Sequence, residues 1–427
     1  MKMISKTHYS ICLILLLLGC MNPLQVDKAA HDSQNPIRMA LLLPISIERT
    51  RQEGLYLSTV LAAEEINNVG GVLGREIEIV LRDDGGSTAK GVAQARQLLG
   101  EGVQFILGPA WSSVTLAVAN EVTIPNSMLL FSHSATNSMI TTLDDNGLVW
   151  RTALSDIYQS KIGAEYVYHD LGKRTVGIIH STNVWASGLA ESFQQNFEQL
   201  AGPGAVVSAV SYPEGQDWKN YDFTAQLNEL FAEKPEVVYV VSFISDGVKM
   251  THDMFLGNFI NDNYHPQFFS VDGTFDQSFL FNGQPDITKG MMGTMPTGYI
   301  TNPAYKLFTS NFYERFGFTP ESYSEHIYDA VYLIAYAMLK SGSTDPVAVA
   351  AELRTVSGGN AEVQGVRISV NEYAQAKSLI ESGQEIDYDG ATGKIELDEN
   401  GDPGSGRYII WKIDNGEYTV ETTVDFP

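Results

Sequence analysis

The chain of 427 residues carries 27 Lys and Arg against 51 Asp and Glu, a formal charge of −24, with 44% hydrophobic and 18% charged residues. That length is enough for two or three domains, each with its own core, and the composition excludes a disordered chain. An acidic balance without any Lys/Arg-rich run excludes nucleic acid and a polybasic contact with a membrane surface.

At the N-terminus, Lys2 and Lys6 precede an apolar stretch from Ile11 to Leu18, followed by Gly19-Cys20. The stretch is shorter than the ~20 residues that span a bilayer, and fits the hydrophobic region of a secretory signal peptide. Leu17-Leu18-Gly19-Cys20 resembles the bacterial lipobox. That resemblance implies removal of residues 1–19, lipidation of Cys20, and an extracytoplasmic protein (periplasmic or at the cell surface) tethered to a membrane. The other cysteine, Cys12, lies inside the expected signal, so neither a disulfide nor a thiolate-bound metal is expected in the mature chain. Residues 20–36 are polar and contain Pro23 and Pro36, as a flexible stalk does.

From Ile37 the pattern alternates. A buried-strand run at 38–44 leads to a helix over 54–69, with Leu55, Leu61, Ala62 and Ile66 at helical spacing, and a strand at 76–81. A helix at 88–100, a strand at 103–107, a helix at 113–122 and a strand at 127–131 follow. After Trp150-Arg151-Thr152 the alternation resumes, with helices at 157–170, 187–200, 222–232 and 247–260. The strands between and after them fall at 175–180, 206–212, 236–242 and 266–270. Two successive runs of strand–helix units predict an α/β fold with two doubly wound parallel sheets. Beyond them come a strand-like link at 291–296, helices near 302–315, 321–339 and 346–356, and β-runs over 394–420.

Few motifs point to chemistry. The sequence holds neither a GxxxxGK[ST] phosphate loop nor a GxSxG nucleophile elbow, and its eight histidines include no HxxxH pair, so no metal or cofactor is expected. Asp398 to Asp402 lacks the glycine and the bidentate glutamate of a calcium loop and reads as a turn. Asp83-Asp84, after a strand, reads as a cap for the next helix. Five segments at strand C-termini, where open α/β sheets bind ligands, are more informative. They are Gly108 to Ser113, Ser132 to Thr136, Asn183 to Gly188, Val241 to Asp246 and Val271 to Gly273, rich in hydroxyls and aromatic rings.

In this order and spacing, the chain resembles the type I periplasmic solute-binding proteins, and among them the branched-chain amino acid (Leu/Ile/Val) binding family. The resemblance runs from about Ile37 to Ile413. It is carried by Ala63 to Gly74 (AEEINNVGGVLG), Asp83-Asp84, Gly108 to Thr115, Ser134-Ala-Thr136, His326 to Tyr332 and Thr392 to Asp402. It implies two doubly wound lobes joined by a hinge of three chain crossings, near Arg151-Thr152, Met295 to Thr297 and Gly406 to Tyr408. The N-lobe would comprise 37–152 plus 297–406 and the C-lobe 153–296 plus 407–427. Residues 361–388 are longer than the family pattern and carry no assigned role.

Carried over residue by residue, the resemblance assigns a ligand carboxylate to Ser112, Ser134 and Thr136. An ammonium would be held by the carbonyl at Ser134, the Thr136 hydroxyl and Asp272, with Ala135 between the two loop contacts. Trp185 and Phe243 form the opposite wall, and Trp111 and Arg51 are side-chain contacts. This chain departs from the pattern where Trp185 and Phe243 replace tyrosines and where Asp272 is one methylene shorter than a glutamate. A larger or aromatic amino acid, a small amide or another carboxylate fits such a site. The expected function is a binding lipoprotein that delivers an amino acid-like metabolite to an ABC permease, without enzymatic turnover. The alternative is a ligand sensor or envelope regulator of the same fold.

Overall fold

The computed structural model describes residues 32–47, 49–297, 302–360 and 362–426. The expected signal peptide, Cys20 and most of the stalk lie outside the described residues, as does the side chain of Arg51. No helix among the described residues is long and apolar enough to cross a membrane.

The first sheet contains β1 (Asp32–Leu43), β2 (Arg75–Asp83), β3 (Phe105–Leu107), β4 (Leu129–Ser132) and β5 (Val149–Arg151). Its order is β2-β1-β3-β4-β5, parallel throughout. Residues 39–43 are fully buried, because β1 is covered on both faces. The helices between these strands are α1 (Arg49–Asn68), α2 (Thr88–Gly100) and α3 (Ser112–Val118). Helix α1 starts five residues before the expected Gly54, and buries Leu55, Ala62 and Ile66 against the sheet.

The second lobe begins with α4 (Asp156–Glu165). It continues through β6 (Val176–Ser181), α5 (Val184–Ala201), β7 (Val206–Tyr212), α6 (Thr224–Leu230), β8 (Val237–Val241), α7 (Ile244–Leu256) and β9 (Gln267–Ser270). Two short helices, α8 (Gln277–Asn282) and α9 (Pro285–Thr288), lead to β10 (Met292–Thr297). The chain then returns to the first lobe, where α10 (Pro303–Phe316), α11 (Ser324–Ser341) and α12 (Pro346–Val356) precede β11 (Val366–Ile368), α13 (Tyr373–Glu381), β12 (Ile386–Gly390) and β13 (Gly393–Lys394). It finally crosses again to β14 (Gly406–Asp414) and β15 (Glu417–Phe426), which complete a seven-stranded sheet of order β15-β14-β10-β9-β8-β6-β7. The main chain thus passes between the two sheets three times.

One feature refines the sequence-based expectation, and another fills a segment that the sequence left unassigned. The second sheet is not wholly parallel, since β14 runs antiparallel to β10 and to β15. A two-residue Asn415-Gly416 turn joins β14 to β15, and so short a link allows only a hairpin. The unassigned segment after residue 361 builds a third, small sheet, β11-β12-β13. It is fastened to α11 through buried Asp329, which accepts from the Tyr388 hydroxyl, from the Ala391 and Thr392 amides and from the Thr392 hydroxyl, at 2.7–2.8 Å. Burial pushes this carboxyl up to about 6 despite those donors.

Arg151, at the first crossing, is completely buried. Its Nε and one Nη grip both oxygens of Asp402 at 2.6 and 2.7 Å. The remaining donors reach the Thr141 hydroxyl at 2.7 Å and the Ala135 and Asn137 carbonyls at 3.1 and 3.0 Å, so every N–H of the guanidinium is used. Asp402 belongs to the Asp398–Asp402 turn that leads into the third crossing, where Asp398 accepts from the Asn400 and Asp402 amides. Alongside, the Thr152 hydroxyl donates to the His326 carbonyl at 3.1 Å, and burial lowers His326 to about 4, leaving it neutral.

Arg151→Met should lower unfolding stability by about 3–5 kcal/mol, because it strands the Asp402 carboxylate and two carbonyls in a dry interior. Chemical denaturation measures this, and a loss below about 1 kcal/mol would show that the pair is dispensable.

Candidate functional site

The carboxyl ends of parallel strands from both sheets face one cleft. On the first lobe, the turn after β3 places Trp111 immediately before α3. On the second, Asn183 caps α5 by accepting the Ala186 amide at 2.8 Å, and Trp185 sits in the first turn of that helix. Phe243 occupies the equivalent place between β8 and α7. The three rings pile up across the cleft. Trp111 and Phe243 lie 4.7 Å apart between centroids and 12° from parallel, and Phe243 and Trp185 lie 4.8 Å and 23° apart.

Each end of the pile rests on a glycine. A Cβ on Gly86 would fall 2.4 Å from the Trp111 ring, and one on Gly273 would fall 2.6 Å from Trp185. Gly86 is positioned by Asp84, whose carboxylate accepts its amide at 2.8 Å. The expected capping role of Asp83-Asp84 is therefore corrected. Ser87 caps α2, while Asp83 pairs with Lys90 and accepts the Ser46 and Gly85 amides, because the pair lies too early in the turn to reach the helix.

Below the rings the cleft becomes polar. Its walls include Gln52, Ser112, Ser134, Asn183, Asp272 and Tyr323. Asp272 accepts from the Gln159 amide at 2.8 Å and from the Tyr323 hydroxyl at 3.0 Å. The second bond crosses between lobes, as does the 3.0 Å bond from the Asn137 side chain to the Val184 carbonyl. The Ser112 hydroxyl accepts the Asn137 amide at 3.3 Å, and the Ser134 hydroxyl donates to the Ala110 carbonyl at 3.0 Å. The lobes are thus in contact through a ring stack and these hydrogen bonds.

Of the residues anticipated from sequence, Trp111, Ser112, Ser134, Trp185, Phe243 and Asp272 share this lining. Ala135 and Thr136 lie buried behind it, and Arg51 falls in the first turn of α1. Sequence reasoning missed Tyr323, Gln159 and Asp156. Asp156, at the start of α4, donates its amide to the Thr136 carbonyl at 2.8 Å. Its carboxylate is buried and closes no well-formed hydrogen bond, although the Thr136 hydroxyl and the Trp185 indole approach it. An aspartate in the first turn of a helix ordinarily faces water, so nothing in the sequence marked it. Burial, reinforced by neighbouring Asp272, pushes Asp156 up to about 8.

That shift has a definite sign. Between the unfolded value near 3.8 and about 8 the folded protein holds a proton that the unfolded chain has released, so this group's contribution to stability declines as pH rises through that window. Asp156→Asn should remove a slope of up to about 1.4 kcal/mol per pH unit. Urea midpoints measured from pH 5 to 7.5 test this, and parallel curves for the two proteins would refute it.

The sequence profile of the family described as "Periplasmic binding protein" matches residues 52–417. A Leu/Ile/Val-binding protein homolog 1 from Brucella suis is 25% identical over 357 residues, covering 83% of this chain and 84% of its own. A leucine-binding protein from Thermotoga maritima superposes with a TM-score of 0.72 at 22% identity, over 91% of this chain and 98% of its own. A solute-binding protein from R. palustris, crystallised with benzoate, gives 0.70 at 15% identity, over 91% and 96%. At those identities the two structures speak for the fold, whereas the profile covers most of the sequence. The chain belongs to the periplasmic binding protein family, as a type I member similar to the Leu/Ile/Val-binding proteins.

Proposed function

We propose that this protein is the extracytoplasmic substrate-binding component of an ABC importer, tethered through lipidated Cys20, which captures an amino acid or a related small carboxylate by hinge closure. The observation that carries this reading is that ring, hydroxyl and carboxylate groups from both lobes converge on one cleft spanned by the Tyr323–Asp272 hydrogen bond. A ligand there touches both halves only when they meet, so binding shifts the lobes toward the closed state. Moving a mostly open population to a mostly closed one takes roughly 5 kcal/mol of differential affinity, within reach of a few charge-assisted hydrogen bonds together with aromatic burial.

In this reading the carboxylate of the ligand lies at Ser112 and Ser134, with Thr136 buried behind them. The ammonium lies at Asp272, with the buried Asp156 behind it. Both charges of a zwitterion leave water on closure, and each needs a partner of opposite polarity to offset desolvation. Names of relatives support the class of ligand, since several are Leu/Ile/Val-binding protein homologs. The chemistry required is capture and release, so no residue is given a catalytic role.

Thermal-shift screening of an amino acid and organic acid panel tests the reading, because a ligand that binds only the folded state raises the melting temperature. Asp272→Ala should weaken binding of an α-amino acid on the order of a hundredfold in calorimetry. Unchanged affinity would remove Asp272 from the site. For the tether, Cys20→Ser should move the protein from the membrane fraction to the soluble fraction, and a variant that stays with the membrane would count against lipidation.

A further inference from the structure

Resting on the reading of the cleft as a ligand site, the geometry points to a narrower substrate class. The ligand is a small amine that carries a flat ring, as an aromatic amino acid does, with the ring held between Trp111 and Phe243 and the amine at Asp272.

The ring pile contains two gaps. That between Phe243 and Trp185 lies within one lobe, its members set at the ends of the paired neighbours β8 and β6. That between Trp111 and Phe243 crosses between lobes, so motion about the hinge opens this gap and leaves the other closed. Neither outer ring can retreat, since Trp111 is backed by Gly86 and Trp185 by Gly273. An inserted group must therefore fit between two nearly parallel faces. Two carbon contact distances of ~3.5 Å set the widened gap at about 7 Å. A planar ring touches both faces over its whole area, in the offset-stacked arrangement that aromatic groups favour. A branched aliphatic side chain meets each face through a few methyl carbons.

Charge selects independently of shape. Asp272 lies on the lining of this cavity and Asp156 is buried beside it. Among the described residues, no Lys, Arg or His side chain lines the cavity. Arg151, the buried cation next to this floor, has its donors committed to Asp402, Thr141 and two carbonyls. An aromatic acid without an amine would enter beside the Asp272 carboxylate, and no cation among the described residues lines the cavity to compensate it. An ammonium would find acceptors.

The test is calorimetric titration of the purified protein with L-phenylalanine, L-tryptophan, L-leucine, 3-phenylpropionate and benzoate. Phenylalanine or tryptophan should bind at least tenfold tighter than leucine, and 3-phenylpropionate at least tenfold weaker than phenylalanine. Phe243→Leu, which keeps an apolar side chain but removes the plane, should erase the preference for a ring over leucine. Should that variant lose its cooperative melt, tryptophan emission of the unaltered protein serves instead. Phenylalanine should then change it more than saturating leucine does, and equal changes would overturn the inference. Leucine bound as tightly as phenylalanine would overturn the ring argument while leaving an amino acid receptor standing. Benzoate bound more tightly than any amine would overturn the charge argument. Failure of every probe would overturn this inference together with the proposed capture of an amino acid-like ligand.

Discussion

A guanidinium with no access to water survives in a protein only where every donor is met and a carboxylate balances its charge. Arg151 satisfies both conditions by reaching the turn before the third crossing through Asp402 and the loop after β4 through the Ala135 and Asn137 carbonyls. The hinge and one wall of the cleft are therefore fixed by the same side chain. Were the pair exposed, it would contribute little and the loop would drift. Buried, it makes the placement of Ser134, Thr136 and Asn137 a consequence of where the hinge strands run.

The cleft follows from strand direction. In both sheets the parallel strands end at the same face, so the rings and hydroxyls that follow β3, β4, β6, β8 and β9 are delivered to a common space. The first lobe brings Trp111, Ser112, Ser134 and Tyr323, and the second brings Trp185, Phe243 and Asp272. Among the described residues, the links across the cleft include the Trp111–Phe243 stack, the Tyr323–Asp272 bond and the Asn137–Val184 bond. Contacts that are partly polar suit a pair of lobes that separate and rejoin, whereas a broad apolar interface would hold them shut.

Much of the fold was legible because its signals are local. Continuous apolar runs such as Met39 to Leu43 mark buried parallel strands, and residues such as Leu55, Ala62 and Ile66 recur at helical spacing. The β14–β15 hairpin was partly hidden because strand runs alone do not reveal pairing direction. The small sheet after residue 361 was hidden because its strands are short and its anchor, Asp329, lies on a distant helix. At the site, Trp111, Trp185, Phe243 and Asp272 were found as strand-end residues. Asp156, Gln159 and Tyr323 were not, since each looks like an ordinary surface-helix or loop residue until its neighbours are known.

Sequence by itself determined the α/β alternation, the family, and which strand ends carry rings and hydroxyls, because periodicity and residue type are properties of short segments. Tertiary structure alone decided that three rings from separate segments form one pile, that Asp156 loses its water beside Asp272, and that Arg151 couples the hinge to the 135–137 loop. Stacking, desolvation and ion pairing depend on distances between residues remote along the chain, and those distances exist only once the two sheets have packed.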